Sequence, residues 1–202
     1  MKKFKDVVNF HGHACPGLAL GYRVAMFALT KFGDRAADEE LVAIVENNSC
    51  AVDAIQVITG CTFGKGNLIF RDHGKQVYTF LMRPSRNTAT KTTYGLRISV
   101  KWAPREETDR EKTMWNRYMK GDRSDEVAKI VHKIKSRKIQ KILNAKDEEL
   151  FMVRKEKMKL PSEAEIFPSI RCSQCGEKVM ESKARLKAGK IVCIPCLDEN
   201  KK

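Results

Sequence analysis

An α+β core followed by a small metal-folded module is the architecture predicted by this 202-residue chain, on three observations. Leu41-Val42-Ala43-Ile44-Val45 is an unbroken apolar run rich in β-branched residues, which marks a strand covered on both faces in the middle of a sheet. Stretches of helical spacing are mixed with stretches of period two, including a pair of strands close enough for a hairpin, which fits an α+β arrangement with α/β as the alternative. Finally, two Cys-x-x-Cys pairs, Cys172/Cys175 and Cys193/Cys196, stand near the C-terminal end.

The first helix expected begins at Pro16, whose fixed φ suits the first helical position, and Leu18, Gly21, Ala25, Leu29 and Phe32 recur behind it at helical spacing. After the 41–45 strand, Asn48 or Ser49 can cap a short helix from about Cys50 to Thr59, which Gly60 ends. Asn67 to Phe70 and Val77 to Met82 read as two strands of a hairpin about Asp72-His73-Gly74-Lys75. Leu96, Ile98 and Val100 alternate with Arg97 and Ser99 as a half-exposed strand. Pro104 opens a charged helical stretch to about Lys120, and a second helix from Ser124 carries Val127, Ile130, Val131 and Ile134. Leu150 to Arg154 returns as one more strand. Lys155 to Arg171 has no clear period and contains Pro161 and Pro168, so the expected organisation is a core over 1–155, a linker over 156–170 and a module over 171–202.

The 39 Lys and Arg against 25 Asp and Glu give a net charge of +14, spread as 13 basic and 8 acidic residues over 1–100 and 26 and 17 over 101–202. Such a balance suits nucleic acid, an anionic surface or an acidic partner, and a heat-tolerant organism's Lys- and Glu-rich surface as well, so charge does not select among them. The densest run, Lys129, Lys133, Lys135, Arg137, Lys138 and Lys141, meets no acid in its own stretch and lies mostly opposite the apolar face of its helix, as a solvated face or a phosphate-tracking one. The N-terminal residues are charged with no apolar run of signal-peptide length behind them, and no apolar stretch is long enough to span a membrane. A cytoplasmic protein is expected, and in a reducing compartment its seven cysteines read as metal ligands or reactive thiols.

His11-Gly12-His13-Ala14-Cys15-Pro16-Gly17 places two imidazoles and a thiol in five residues at the start of a helix, the composition of a metal or thiolate site. As N-cap, Cys15 meets unpaired backbone N–H groups and the positive end of the helix dipole, which favour a thiolate. In an extended approach segment His11, His13 and Cys15 point to one side and can converge. Cys50 stands at the next helix start with Asp53 one turn later and is a second candidate for a low-pKa thiol and shared ligand. Cys61 is separated from Cys50 by a helix about 16 Å long, so it joins the site only if that helix is irregular. Glu46, at the end of the buried strand, is a candidate acceptor for orienting a ligand histidine. Gly60-Cys61-Thr62-Phe63-Gly64-Lys65-Gly66 has three residues rather than four before its Gly-Lys pair and Gly rather than Ser or Thr after it, which excludes a phosphate loop of the nucleotide-hydrolysing kind.

The two C-terminal Cys-x-x-Cys pairs are separated by residues 176–192, a spacing that presents four thiolates to one tetrahedral ion and leaves no position for substrate. Structural Zn2+ is therefore expected on Cys172, Cys175, Cys193 and Cys196, with an electron-transfer iron site as the alternative and Asp198 as a substitute ligand. Ala188-Gly189 can reverse a hairpin between the pairs.

Taken together, His11-Gly12-His13-Ala14-Cys15-Pro16-Gly17-Leu18 with Gly21, Glu46 to Gln56, and Thr59 to Asn67 resemble the E-subunit family of formylmethanofuran dehydrogenase over roughly the first 155 residues. Some members carry a C-terminal four-cysteine finger, as this chain does. The resemblance implies a thioredoxin-like mixed sheet flanked by helices, a treble-clef-like finger, and a metal-binding active site in the core. It also implies association, in some methanogens, with the molybdenum or tungsten enzyme that reduces carbon dioxide onto methanofuran. It carries His11, His13, Cys15 and Cys50 over as site residues, with Cys61 and Asp53 behind them.

The reading that results is a metalloprotein with Zn2+ or another transition metal on His11, His13, Cys15 and Cys50, and with Cys15, Cys50, Cys61 and Asp53 as candidate catalytic residues. Dehydrogenase subunits are the expected partners, and the apolar face of 18–32 is broad enough for a homodimer as well as a core. The rival is a basic zinc-finger adaptor gripping nucleic acid or a partner protein without catalysis.

Overall fold

A computed structural model describes residues 2–84, 92–101 and 107–198, which form two compact units, 1–163 and 164–202. In chain order the first contains α1 (Phe4–His11), α2 (Pro16–Phe32), β1 (Leu41–Val45), α3 (Ala51–Thr59), β2 (Leu68–Phe70), β3 (Val77–Met82), β4 (Thr92–Val100), α4 (Asp109–Met119), α5 (Asp125–Asn144), α6 (Asp147–Leu150) and β5 (Phe151–Lys159). The second contains β6 (Ser169–Arg171), β7 (Lys178–Met180), β8 (Arg185–Lys187), β9 (Lys190–Val192) and α7 (Ile194–Asp198).

The core unit is a mixed five-stranded sheet in the order β2-β1-β3-β4-β5, with β1 and β2 parallel and the other neighbours antiparallel. All five residues of β1 are buried. Leu41, Ala43 and Val45 pack toward α1, α2 and α3, while Val42 and Ile44 pack with Leu81, Ile69, Met158 and Leu160, a two-faced burial that only a continuous apolar strand tolerates. That demand overturns the expected hairpin. β2 and β3 do not pair with each other, because β1 lies between them and takes one on each edge. The segment between them instead wraps the end of β1, where Arg71 donates its N–H to Val45 and Lys75 donates to Glu46.

Two other boundaries move. α1 occupies residues expected to form an extended approach. Its Phe4, Val7 and Val8 stand at i, i+3 and i+4, and the Asp6 carboxylate accepts the Lys3 N–H at 2.6 Å. β5 runs to Lys159, since its register with β4 continues to Thr92, so residues 156–159 are sheet rather than linker. The expected start of the charged helix at Pro104 lies outside the described residues, and the described helix begins after the Thr108 cap.

α2 buries Leu18, Ala19, Gly21, Val24, Ala25 and Ala28, while Leu20, Tyr22, Met26, Phe27, Leu29 and Phe32 are partly buried. It packs on α3 and the sheet through Leu18, Val24, Ala25 and Ala28, and on α5 through Ala19, which meets Ile139 and Ile142. Arg23 caps the C-terminal end of α5, donating to the carbonyls of Ile142 at 2.6 Å and Leu143 at 2.9 Å and pairing with Asp147 at 2.8 Å.

α4 and α5 form an antiparallel pair around Met114, Val127 and Val131, and α4 supplies partners that the basic run lacks locally. Arg137 pairs with Glu111 at 2.7 Å, Lys138 pairs with Glu107 and stands over the Trp115 ring, and Lys135 donates to the Tyr118 hydroxyl. Half of the six charges thus have partners on α4 or at Glu107 just before it. Hydrogen bonds from Arg137 and the Thr108 N–H hold the Glu111 carboxyl well below its ordinary 4.5, at about 2. Its contribution is complete above about pH 4.5 and is lost as the pH falls through about 2. Acid titration of the helical circular dichroism signal should therefore show a loss in that window that Glu111→Gln removes.

Candidate metal centre

His11, Cys15 and Cys50 come from three different helix ends. His11 is the last residue of α1, which Gly12 ends at φ 91, donating its N–H to Val8. Cys15 is the N-cap of α2, with Pro16 at the first helical position, and its sulfur accepts the Leu18 N–H at 3.3 Å. Cys50 precedes α3. What brings the starts of α2 and α3 together is Gly21, where a Cβ would stand 2.3 Å from the Ala51 carbonyl oxygen and 2.5 Å from its Cα. No other residue fits that crossing.

The loop from β1 to Cys50 is held from below by a polar cluster that sequence reasoning missed. Buried Asn47 donates to the Lys75 carbonyl at 2.6 Å and to the Tyr78 hydroxyl at 3.3 Å, and its own carbonyl accepts both the N–H and the hydroxyl of Ser49. Tyr78, fully buried, donates to Gln76 at 2.6 Å. The signal in the sequence was two consecutive Asn after a buried strand, a pattern that needs partners once it is desolvated.

One ring nitrogen of His11 and the sulfurs of Cys15 and Cys50 all lie within 4.8 Å of one another. The His11 Nδ1 is hydrogen-bonded to Asp53 at 2.6 Å, and its Nε2 is buried with no hydrogen-bond partner among the described residues. With Nδ1 engaged by Asp53, Nε2 is the ring nitrogen left to serve as a donor. A tetrahedral zinc shell places sulfur ligands about 3.8 Å apart, so the three groups need only a small contraction to close on an ion. An ion would also satisfy the nitrogen, whose burial without a partner costs about 1–3 kcal/mol.

The structure separates the other candidates from this cluster. His13 is exposed and lies outside it, its ring tilted over that of His11 with centroids 4.5 Å apart. The extended geometry expected for both histidines fails because His11 is helical and Gly12 turns the chain. Asp53 holds His11 rather than facing the sulfurs, the orienting role expected of Glu46. Glu46 instead pairs with His73 and Arg97, each at 3.2 Å. Cys61 is fully buried beyond the far end of α3, donating to the Leu41 carbonyl at 3.3 Å, and burial pushes its thiol up to about 11. Cys50, expected as a low-pKa thiol, has no capping bond to its side chain, and its burial and the adjacent Cys15 sulfur raise it instead. Lys65 of the glycine-rich loop spends its ammonium on the carbonyls of Ala36, Ala37 and Asp38. Two grooves of about 680 and 610 Å³ lie elsewhere, and neither is lined by His11, Cys15 or Cys50.

In the second unit Cys172, Cys175, Cys193 and Cys196 converge, and Cys175 and Cys193 are 3.9 Å apart, the edge of a tetrahedral thiolate shell. The first pair sits on the turn between β6 and β7, which form an antiparallel hairpin, and Gly176 turns there at φ 77. The second follows the β8–β9 hairpin, reversed at Ala188 and Gly189 with φ of 48° and 76°. Hydrogen bonds from the backbone N–H groups of Cys175 and Cys193 bring the Cys172 thiol down to about 6. Asp198 is not part of this cluster. Among the described residues, no helix is long and apolar enough to cross a membrane.

Comparison with known proteins agrees with this division. The family described as FmdE, molybdenum formylmethanofuran dehydrogenase operon, matches residues 10–152, and the prokaryotic dksA/traR C4-type zinc finger matches residues 165–201. A probable S-adenosyl-L-methionine-binding protein of Archaeoglobus fulgidus is 34% identical over 200 residues, covering 93% of this chain and 50% of that relative, so the chain spans half the relative's length. The crystal structure of a tungsten formylmethanofuran dehydrogenase FmdE-like protein from Syntrophus aciditrophicus shares the fold, with a TM-score of 0.56 at 21% identity over 96% of this chain and 89% of that one. With the core matched over 10–152 and a four-cysteine zinc finger following it, the chain is a zinc-binding member of the FmdE family.

Proposed function

We propose that the core carries a second metal centre, in which His11 Nε2, Cys15 Sγ and Cys50 Sγ hold Zn2+ or another transition ion with one position left for a small ligand, and that the finger serves assembly with partner subunits. The observation that carries this reading is the buried, unpartnered Nε2 of His11 beside two sulfurs. Three protein donors are the ligand count of catalytic rather than structural zinc. A bound ion would supply a Lewis acid for water or a carbonyl group, or a redox couple. The chain's own contribution is orientation. Asp53 accepts from the Nδ1–H of His11, which fixes the tautomer and leaves Nε2 as donor, and the Leu18 N–H keeps the Cys15 sulfur aimed inward. His11 is only 13% exposed, so water reaches the site over the half-buried cysteines rather than past the ring.

Metal content of anaerobically purified protein tests the reading. Two ions per chain should fall to one when Cys172 and Cys175 are both changed to Ser, whereas one falling to none removes the core centre. Asp53→Asn should weaken the core ion by about 10–100-fold in chelator competition and leave the finger ion unchanged. Calorimetric titration of the loaded protein with S-adenosylmethionine decides whether the ligand named for the Archaeoglobus relative also belongs to this chain.

A further inference from the structure

We propose that Cys15 and Cys50 form a reversible disulfide in exchange with small-molecule disulfides, a modification that dismantles the core donor set; only its consequence for a bound metal rests on the reading above. The two sulfurs are at most 4.8 Å apart, so the side chains must close less than about 3 Å to reach the roughly 2.05 Å of a disulfide. Gly17 leaves room for that swing, since a Cβ there would stand 3.6 Å from the Cys50 Cβ and 4.0 Å from the Cys15 sulfur. Both cysteines are half-buried rather than sealed, so a small disulfide can reach them.

The two sulfurs are not equivalent. Cys15 caps a 17-residue helix and its sulfur accepts the Leu18 N–H at the positive end of the helix dipole, which positions it as the attacking sulfur. The Cys15 sulfur gives its proton to water and attacks one sulfur of the small disulfide, forming a mixed disulfide on Cys15 and releasing one small thiolate, which takes up a proton. Cys50 then gives its proton to water and attacks the Cys15 sulfur, closing the Cys15–Cys50 bond and releasing the second small thiolate. Two electrons pass from the cysteine pair to the small disulfide, which leaves as two thiols, and an excess of thiol reverses both steps. With both sulfurs consumed, His11 alone remains of the donors. Cys61, fully buried and hydrogen-bonded to Leu41, serves as an unreactive internal control.

The test uses the full chain, reduced and metal-loaded, treated with oxidised glutathione and mapped by mass spectrometry after alkylation, with ion release followed by a chromogenic chelator. The expected result is a Cys15–Cys50 cross-linked peptide, release of one ion while the finger keeps its own, and recovery of both thiols with dithiothreitol. Cys50→Ser should stall at the glutathione adduct on Cys15, with a melting temperature close to that of the parent as the check on folding. A Cys15–Cys50 pair still reduced when the finger cysteines have already oxidised overturns the proposal, as does an adduct on either cysteine that persists without closing. If the reduced protein holds no core ion, the metal reading fails, while the cross-link map still decides the disulfide.

Discussion

Removing the ion from the four-cysteine module should unfold residues 164–198 and leave the core unit folded. The reason is the size of what would remain. Apart from the cysteines, the buried apolar cluster of the module consists of Val192, with Val179 and Leu197 half-buried against it, while Ile166, Leu186 and Met180 face solvent. Two hairpins of three-residue strands and a five-residue helix have no independent stability, so the ion must supply it, at about 10–16 kcal/mol in comparable peptides. The Cys172→Ser, Cys175→Ser double variant should lose amide dispersion in the NMR spectrum for 164–198 and become cleavable there by protease. The signals of 2–163 should stay in place. Retained dispersion in the metal-free module would mean that its fold stands on side-chain packing absent from this structure.

That finger was readable because its information is local. Cys-x-x-Cys is one turn, and two such turns at the right separation specify both the ligand set and the module. β1 was readable for a related reason, since five consecutive apolar residues have one stable location, the middle of a sheet. The pairing of β2 and β3 was not, because chain proximity suggested a hairpin, whereas β1, twenty and more residues earlier, claimed an edge of each. The core site divides along the same line. The capping role of Cys15 followed from Pro16 and the apolar spacing behind it. The convergence of His11 with Cys50, and the bond from His11 to Asp53, span 39 and more residues and depend on how α1 and α2 cross α3. His13 falls outside the cluster of His11, Cys15 and Cys50 for the converse reason. A spacing of i and i+2 puts two rings on one side only if the backbone is extended, and a two-turn helix with its positive-φ glycine intervenes.

The crossing of α2 and α3 leads to the second large effect, since Gly21→Ala should loosen the core and the site together. The added Cβ would meet the Ala51 carbonyl oxygen at 2.3 Å, its Cα at 2.5 Å and its carbonyl carbon at 2.7 Å. All three are backbone atoms, so no rotamer change relieves the contact, and the helices must separate by about 1 Å to restore van der Waals distances. Alanine gains about 0.8–1.0 kcal/mol over glycine in a helix interior. Overpacking costs about 1–3 kcal/mol and more where backbone is displaced, so the penalty wins. A net loss of about 2 kcal/mol corresponds to a fall of roughly 4–8 °C in Tm for a chain of this size. The displaced residue directly follows Cys50, and Cys15 begins the helix that displaces it, so the same movement draws the two sulfurs apart. Core metal affinity should fall at least tenfold (roughly 1.4 kcal/mol), with the finger ion unaffected. Gly64→Ala provides the control, because nothing lies within 4 Å of a Cβ there, and should change stability by less than about 0.5 kcal/mol. A Gly21→Ala protein that melts with the parent and holds the core ion as tightly would show that the two helix starts are not locked at that crossing. The site would then owe its assembly to the Asn47 and Tyr78 cluster beneath Cys50, and Asn47→Ala should carry the loss in its place.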